Sequence, residues 1–323
     1  MKNMRLPLFI MCAVTIIGII LGSFFDYQIS SAVASSTNYF GLTVSAICPT
    51  LGFAGVAVMG GGFIALIIKG EYPVWLKIIF GILAACCYGV AVYYPGGEYF
   101  GVNGFYGAAP EWIGYLIVFL PEAGAVVGGY FLFKDCQNKN IWIVFCTIIG
   151  LLLIALLLII PQLKDNIRRP RFRTLVEHGE IPFRNWWQSS KGDYKNWMQE
   201  YGIESSDHFK SYPSGHTAET SILLVVATFF PLAHKKMHKY QMPCFLAACF
   251  LVLLVAFARI LAAAHFLSDV SWGAFIVNAL ATVANEIVMK IKPLQVAELD
   301  QENSWVPLKI IIEYWYLIHL SFL

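Results

Sequence analysis

Arg259-Ile260-Leu261-Ala262-Ala263-Ala264-His265-Phe266-Leu267-Ser268-Asp269 sets an arginine, a histidine and an aspartate between two apolar runs, residues 245–258 and 270–288. Charged groups beside hydrocarbon are costly and are usually kept for function. His265 and Asp269 are four apart, a spacing that puts both on one face of a helix. There a carboxylate can accept a hydrogen bond from one imidazole nitrogen and leave the other as a nucleophile. Arg259 offers a planar fork suited to phosphate oxygens. Taken alone, the stretch also fits a capped helix with an intramembrane ion pair.

The rest of the chain has the composition of a membrane protein. Of its 323 residues 58% are hydrophobic and only 13% charged, and the mean hydropathy is +0.66. Apolar runs of about 18 residues or more, long enough to span a bilayer, recur along it. A net charge of +2 with no basic stripe of interleaved aromatics gives no sign of a nucleic-acid partner. The eight cysteines form no CxxC pair and no zinc spacing. Cys12, Cys86, Cys87, Cys146, Cys244 and Cys249 fall in or at the ends of apolar runs and read as small hydrophobes.

We expect an all-α, polytopic membrane helix bundle of about eight spans, with one long polar extramembrane loop. Residues 1–160 hold five spans, near 6–25, 52–68, 75–94, 113–133 and 141–160. The first apolar run is longer than a signal-peptide core, so it reads as a helix that stays. Residues 26–38 read as a segment lying on the membrane surface, and Gly60-Gly61-Gly62 as a close helix contact. Residues 95–112 read as an interfacial loop. Residues 161–216 are the polar loop, 217–291 carry three more spans near 217–232, 243–264 and 268–289, and 292–323 form a tail ending in a possible interfacial helix.

With a cytoplasmic N-terminus, the inside connections hold Lys2 and Arg5, Lys69 and Lys77, Lys134 and Lys139, Lys235, Lys236 and Lys239, and Lys290 and Lys292. The two short outside connections, 26–51 and 95–112, hold neither lysine nor arginine. This positive-inside pattern puts the long loop and the His265 junction on the non-cytoplasmic face.

Two further constellations lie in or beside that loop. Lys164-Asp165-Asn166-Ile167-Arg168-Arg169-Pro170-Arg171-Phe172 is dense in cations, as the phosphate site of an enzyme or the solvated flank of a membrane helix would be. Pro213-Ser214-Gly215-His216 opens the 217–232 span. It offers a hydroxyl, free backbone N–H groups and an imidazole at a helix start, where anions bind. It also fits an ordinary cap by Ser214 or Thr217.

Lys-x6-Arg, Pro-Ser-Gly-His and Arg-x5-His-x3-Asp, in that order, resemble the type-2 phosphatidic acid phosphatase superfamily of lipid phosphatases, glucose-6-phosphatases and vanadium haloperoxidases. The likeness covers mainly residues 163–281. Two positions depart from the usual pattern. Phe172 stands where proline normally follows the first arginine, and Ala258 where serine normally precedes the second. A register on Arg169-Pro170 would put Gln162 in the lysine position, which favours Lys164 with Arg171.

The resemblance implies catalysis by His265, His216 and Asp269. His265 would attack phosphorus to form a phosphohistidine, Asp269 would orient it, and His216 would protonate the leaving oxygen and then activate water. Lys164, Arg171, Ser214, Gly215 and Arg259 would hold the phosphoryl oxygens. Neither metal nor cofactor is expected. The expected partners are a lipid phosphate and the bilayer, at the plasma membrane with the site on the non-cytoplasmic face; no oligomeric state follows. Candidate substrates are polyprenyl diphosphate, phosphatidylglycerol phosphate and phosphatidate. A phosphotransferase of the same fold is the alternative reading, and a transporter or channel with intramembrane charges is the alternative from another class.

His178, His208, His234, His238 and His319 read as surface residues, and Glu122, Glu219 and Glu286 as intramembrane carboxylates. Phe183, Trp186, Trp187, Trp197 and Tyr201 read either as an interface belt or as a cap over the lipid part of a substrate.

Overall fold

The computed structural model describes residues 4–100, 108–135, 148, 150, 155–230 and 235–290. Among them every regular element is helical and no strand occurs. The long helices are α1 Arg5–Val33, α2 Tyr39–Lys69, α3 Val74–Tyr99 and α4 Glu111–Phe133. Short helices α5 Ile160–Ile167, α6 Phe172–Glu177 and α7 Tyr194–Glu200 follow in the polar loop. Then come α8 Gly215–Phe229, α9 Gln241–Leu261 and α10 Leu267–Lys290.

Six described helices are long and apolar enough to cross a bilayer: α1 to α4, Met237–Leu261 and Leu267–Glu286. More than half of the expected span at 141–160 lies outside the described residues, as does all of the tail helix expected at 305–323. The expected span at 217–232 corresponds to α8, whose 15 described residues are fewer than a bilayer crossing needs.

Two boundaries differ from expectation. Residues 26–38 do not all lie on the surface: α1 continues to Val33, with Asp26 and Ser30 buried. Asp26 is tolerated there because an arginine and a helix start meet it, as described below. Nor does α3 stop at Pro95; it runs on to Tyr99 and carries Glu98. Of the loop expected at 95–112, residues 95–99 are therefore helix, and Glu111 and Trp112 open α4.

α2 is the central helix. Two thirds (67%) of its most apolar stretch is buried, against 17% for α3 and 22% for α4, so these two present most of their surface outward. α2 packs on α3 and α4 on one side and on α8 and α9 on the other. Between lipid-exposed helices, close contact of small residues replaces the hydrophobic effect as the attraction. Gly61 meets the backbone of α4 at Tyr130, and Gly60 meets Ala84 and Cys87 of α3. A methyl group at Gly61 would overlap the α4 main chain. Outward-facing Phe9, Ile17, Leu120 and Phe250 give the bundle its apolar exterior.

α1 and α10 pack as an antiparallel pair. Arg5 Nε meets Glu286 at 3.2 Å at one end, and Asp26 meets Ser268 at the other. The second end of the bundle gathers the close of α9, the starts of α8 and α10, and the polar loop. A small core of Phe172, Leu175, Ile181, Ile203, Phe209, Ala263 and Phe266 holds the loop onto the α9–α10 turn.

Candidate active site

The turn between α9 and α10 carries His265. The Arg259 carbonyl accepts from the N–H groups of Ala264 (3.2 Å) and His265 (3.3 Å), folding the chain back over the end of α9. Ala263 takes a left-handed conformation, φ 55°, which a side chain adopts only under constraint. The constraint comes from the first constellation. Arg173 N–H donates to the Ala263 carbonyl at 3.0 Å, and the Arg171 guanidinium donates to the Ala264 carbonyl at 3.2 Å.

His265 therefore lies before α10, while Asp269 sits in that helix's first turn. The two do not share a helix face. Nδ1 of His265 is 4.0 Å from Asp269 Oδ2, too far for a hydrogen bond. It lies instead 2.5 Å from the Ser211 carbonyl oxygen. A carbonyl only accepts, so Nδ1 carries the proton and Nε2 keeps the lone pair. Ser211 also donates its hydroxyl to Asp269 Oδ2 at 2.5 Å, so Ser211 links Asp269 to the histidine.

Asp269 has further bonds. Its Oδ2 accepts from the Phe266 N–H at 3.0 Å, the reach-back of a third-position acid at a helix start. Its Oδ1 pairs with Arg169 at 2.5 Å. Arg169, fully buried, pairs also with Asp26 of α1 at 2.9 Å. Asp26 accepts from the Ser268 N–H at 2.9 Å and from the Ser268 hydroxyl. The guanidinium lies over the rings of Phe266 (4.2 Å) and Phe183 (5.4 Å). Arg169 is thus committed to two carboxylates and two aromatic faces.

Arg171 points elsewhere. It grips Asp207 with Nε on the main-chain oxygen and Nη2 on the carboxylate, each at 2.8 Å. The charges of Lys164, Arg171 and Arg259 bear on both His265 and His216. Burial, then Arg259, Arg171 and Lys164, hold His265 well below its ordinary value, which keeps it neutral. His216, at the extramembrane start of α8, is held down by burial and the same three cations. Burial would raise Asp207, but Arg171, Lys164, Arg173 and Arg259 outweigh it and keep its carboxyl at about 2.

Ser214 caps α8: its Oγ accepts from the Thr217 N–H at 3.4 Å and lies 3.0 Å from the Thr217 hydroxyl. Gly215 follows as the first helical residue, where an N–H has no intrahelical acceptor. Gly273 of α10 packs directly on Ser214 and Ala218, leaving no room for a larger residue, and so seats α8 against α10. A methyl on Gly215 would come within 3.4 Å of both Lys164 Nζ and Glu219 Oε1. Glu219 is therefore at the site, within reach of the charges of Glu98, Lys164 and Arg259. Glu98, from the end of α3, places Oε2 3.7 Å from His216 Nε2.

Every residue proposed from the motifs thus lies at one end of the bundle, around the α9–α10 turn. Asp26, Glu98, Arg169, Asp207 and Ser211 were not among them. Asp26 and Glu98 come from helices with no motif, and their only signal was an acidic residue beside an apolar run. Arg169 lay inside the first constellation but outside the favoured register.

The remaining expectations divide. His208 is not a surface residue: its Nδ1 lies 3.1 Å from the Thr174 hydroxyl, and burial with Arg173 and Arg171 lowers it to about 4. His178 lies beside the Tyr201 ring, and His234 and His319 fall outside the described residues. Glu286 pairs with Arg5, and Glu122 is fully buried in α4. Phe183, Trp197 and Tyr201, each partly buried, pack on the small loop core. Trp186 donates to Ser23 at 2.9 Å and stacks on Tyr212; Trp187 is exposed.

No curated protein and no solved structure matches the chain. The family profile of the PAP2 superfamily matches residues 140–293, which contain all three motifs. Members of that superfamily are generally phosphoesterases. With its long apolar helices the chain reads as an integral membrane protein, and its residues 140–293 match the PAP2, or type-2 phosphatidic acid phosphatase, superfamily.

Proposed function

We propose that the protein hydrolyses a lipid phosphate or diphosphate through a phosphohistidine on His265, without a metal, at the non-cytoplasmic face of the plasma membrane. The observation that carries this reading is the pairing of two buried histidines under the charges of Lys164, Arg171 and Arg259. The Ser211 carbonyl fixes the tautomer of one of them.

Nε2 of His265 forms the bond to phosphorus as the bond to the leaving oxygen breaks. That oxygen departs with the electron pair and takes a proton from His216. In the empty site the cations keep His216 neutral; the negative charge brought in by the substrate allows it to gain a proton. Lys164, Arg171, Arg259 and the Gly215 N–H hold the phosphoryl oxygens as charge shifts. His216 then takes a proton from water, which attacks phosphorus and releases His265. Asp269, through Ser211, supports the imidazolium that forms. A site at the end of a lipid-embedded bundle favours a lipid phosphate such as phosphatidate, phosphatidylglycerol phosphate or a polyprenyl diphosphate.

Rapid quench with labelled substrate tests the roles. His265→Ala should form no covalent intermediate. His216→Ala should still be phosphorylated by an ester with a good leaving group, then accumulate an acid-labile, base-stable phosphoprotein. Label in His265→Ala but not in His216→Ala would reverse the two roles.

A further inference from the structure

We infer that Glu98 makes this site selective for phosphate monoesters of uncharged alcohols over diphosphates; the inference rests on the phosphatase reading above. His216 is only 5% exposed, and its buried Nε2 has no protein hydrogen-bond partner. In that reading this nitrogen passes its proton to the leaving oxygen. The leaving oxygen must then come within about 2.6–3.2 Å of it. The Glu98 carboxylate already stands 3.7 Å from the same nitrogen. Leaving group and carboxylate are therefore neighbours around one atom. The Glu98 side chain is 34% exposed, so it borders open space rather than packed protein.

The two substrate types differ in what leaves. A monoester attacked at phosphorus releases an alcohol: the oxygen takes the His216 proton and departs uncharged. A diphosphate attacked at its terminal phosphorus releases a phosphate monoester, whose oxygens stay negative after that proton arrives. Held beside Glu98, such a group meets a like charge at roughly 5 Å, close enough to alter a rate by about tenfold or more in a partly buried site. Leaving-group chemistry runs the other way, because a phosphate is a better leaving group than an alkoxide. A preference for the monoester would therefore be the protein's doing.

Farnesyl phosphate and farnesyl diphosphate share one alcohol and differ in this feature. Initial rates of inorganic phosphate release should be measured with the purified full-length protein in detergent. We expect kcat/KM for the monoester to exceed that for the diphosphate by about tenfold or more. The ratio should fall by a similar factor in Glu98→Gln. Both rates come from one preparation, so loss of folded protein cancels from the ratio. A ratio at or below one in the unaltered protein overturns the inference and leaves the phosphatase reading standing. So does an unchanged ratio in Glu98→Gln, or a variant dead on both substrates, since Glu98 would then serve only to orient His216. No phosphate release from either ester or from p-nitrophenyl phosphate removes both readings.

Discussion

His265 is held by Ser211: its Nδ1 lies 2.5 Å from the Ser211 carbonyl oxygen. Asp269 binds the hydroxyl of that serine rather than the imidazole. Ser211→Ala keeps the carbonyl and removes the hydroxyl. A hydrogen bond to a charged group contributes about 1.5–3 kcal/mol. If half or more of that is felt in the phosphorylation step, kcat falls roughly tenfold with little change in KM. A fall in kcat/KM carried by KM alone would show that Ser211 acts on binding and not on His265.

Arg169 and Arg171 are two residues apart and should fail differently. Arg169→Ala strands Asp26 and Asp269, and breaking a buried ion pair in this way costs about 3–5 kcal/mol. Its thermal midpoint in detergent should drop steeply. Arg171→Ala should lose most phosphate release with a smaller shift in midpoint. Equal destabilisation of the two variants would argue against separate structural and phosphate-binding roles.

Asp207 gives the protein an acid limit. Its folded value of about 2 lies below the unfolded aspartate value near 3.9. With the folded value depressed, the stabilisation is fully present above about pH 4 and is lost as pH falls toward 2. The shift corresponds to about 2.5 kcal/mol. Asp207→Asn should melt earlier than the unaltered protein at pH 7, and the gap should shrink to about a third of its size by about pH 2.5, as the folded carboxyl approaches its own midpoint. A gap that is undiminished at about pH 2.5 would mean that the Asp207 charge does not produce it.

Sidedness can be read by labelling single cysteines on a cysteine-free background. Ser190 is buried, so the exposed Lys195 in the loop and Lys239 before α9 are the better positions. An impermeant thiol reagent outside intact cells should modify Lys195→Cys and spare Lys239→Cys. The reverse pattern would put the site in the cytoplasm.

Local periodicity and charge made part of this molecule legible. Apolar runs gave the long helices, and triple glycine gave the contact of α2 with α3 and α4. The three motifs gave the groups at the end of the bundle. What they could not give was pairing across the chain. Asp26 reads as a polar residue after a span until Arg169, 143 positions on, supplies its charge partner. Glu98 reads as part of a glycine-rich loop until α3 runs past Pro95. The i, i+4 spacing of His265 and Asp269 suggested a shared helix face. The chain instead turns at Ala263 under bonds from Arg171 and Arg173, which no local rule contains.

The carboxylate of Asp26 has a consequence for how the protein is made. Its partners lie 143 and 242 residues downstream, at Arg169 and Ser268. At a synthesis rate of about 5–20 residues per second, α1 waits roughly 10–50 s before both exist. During that interval a charged group near the end of the first helix has no permanent partner, and water or the lipid headgroups must solvate it. α1 can therefore reach its final depth only late in biogenesis, when the last described helix arrives and locks it.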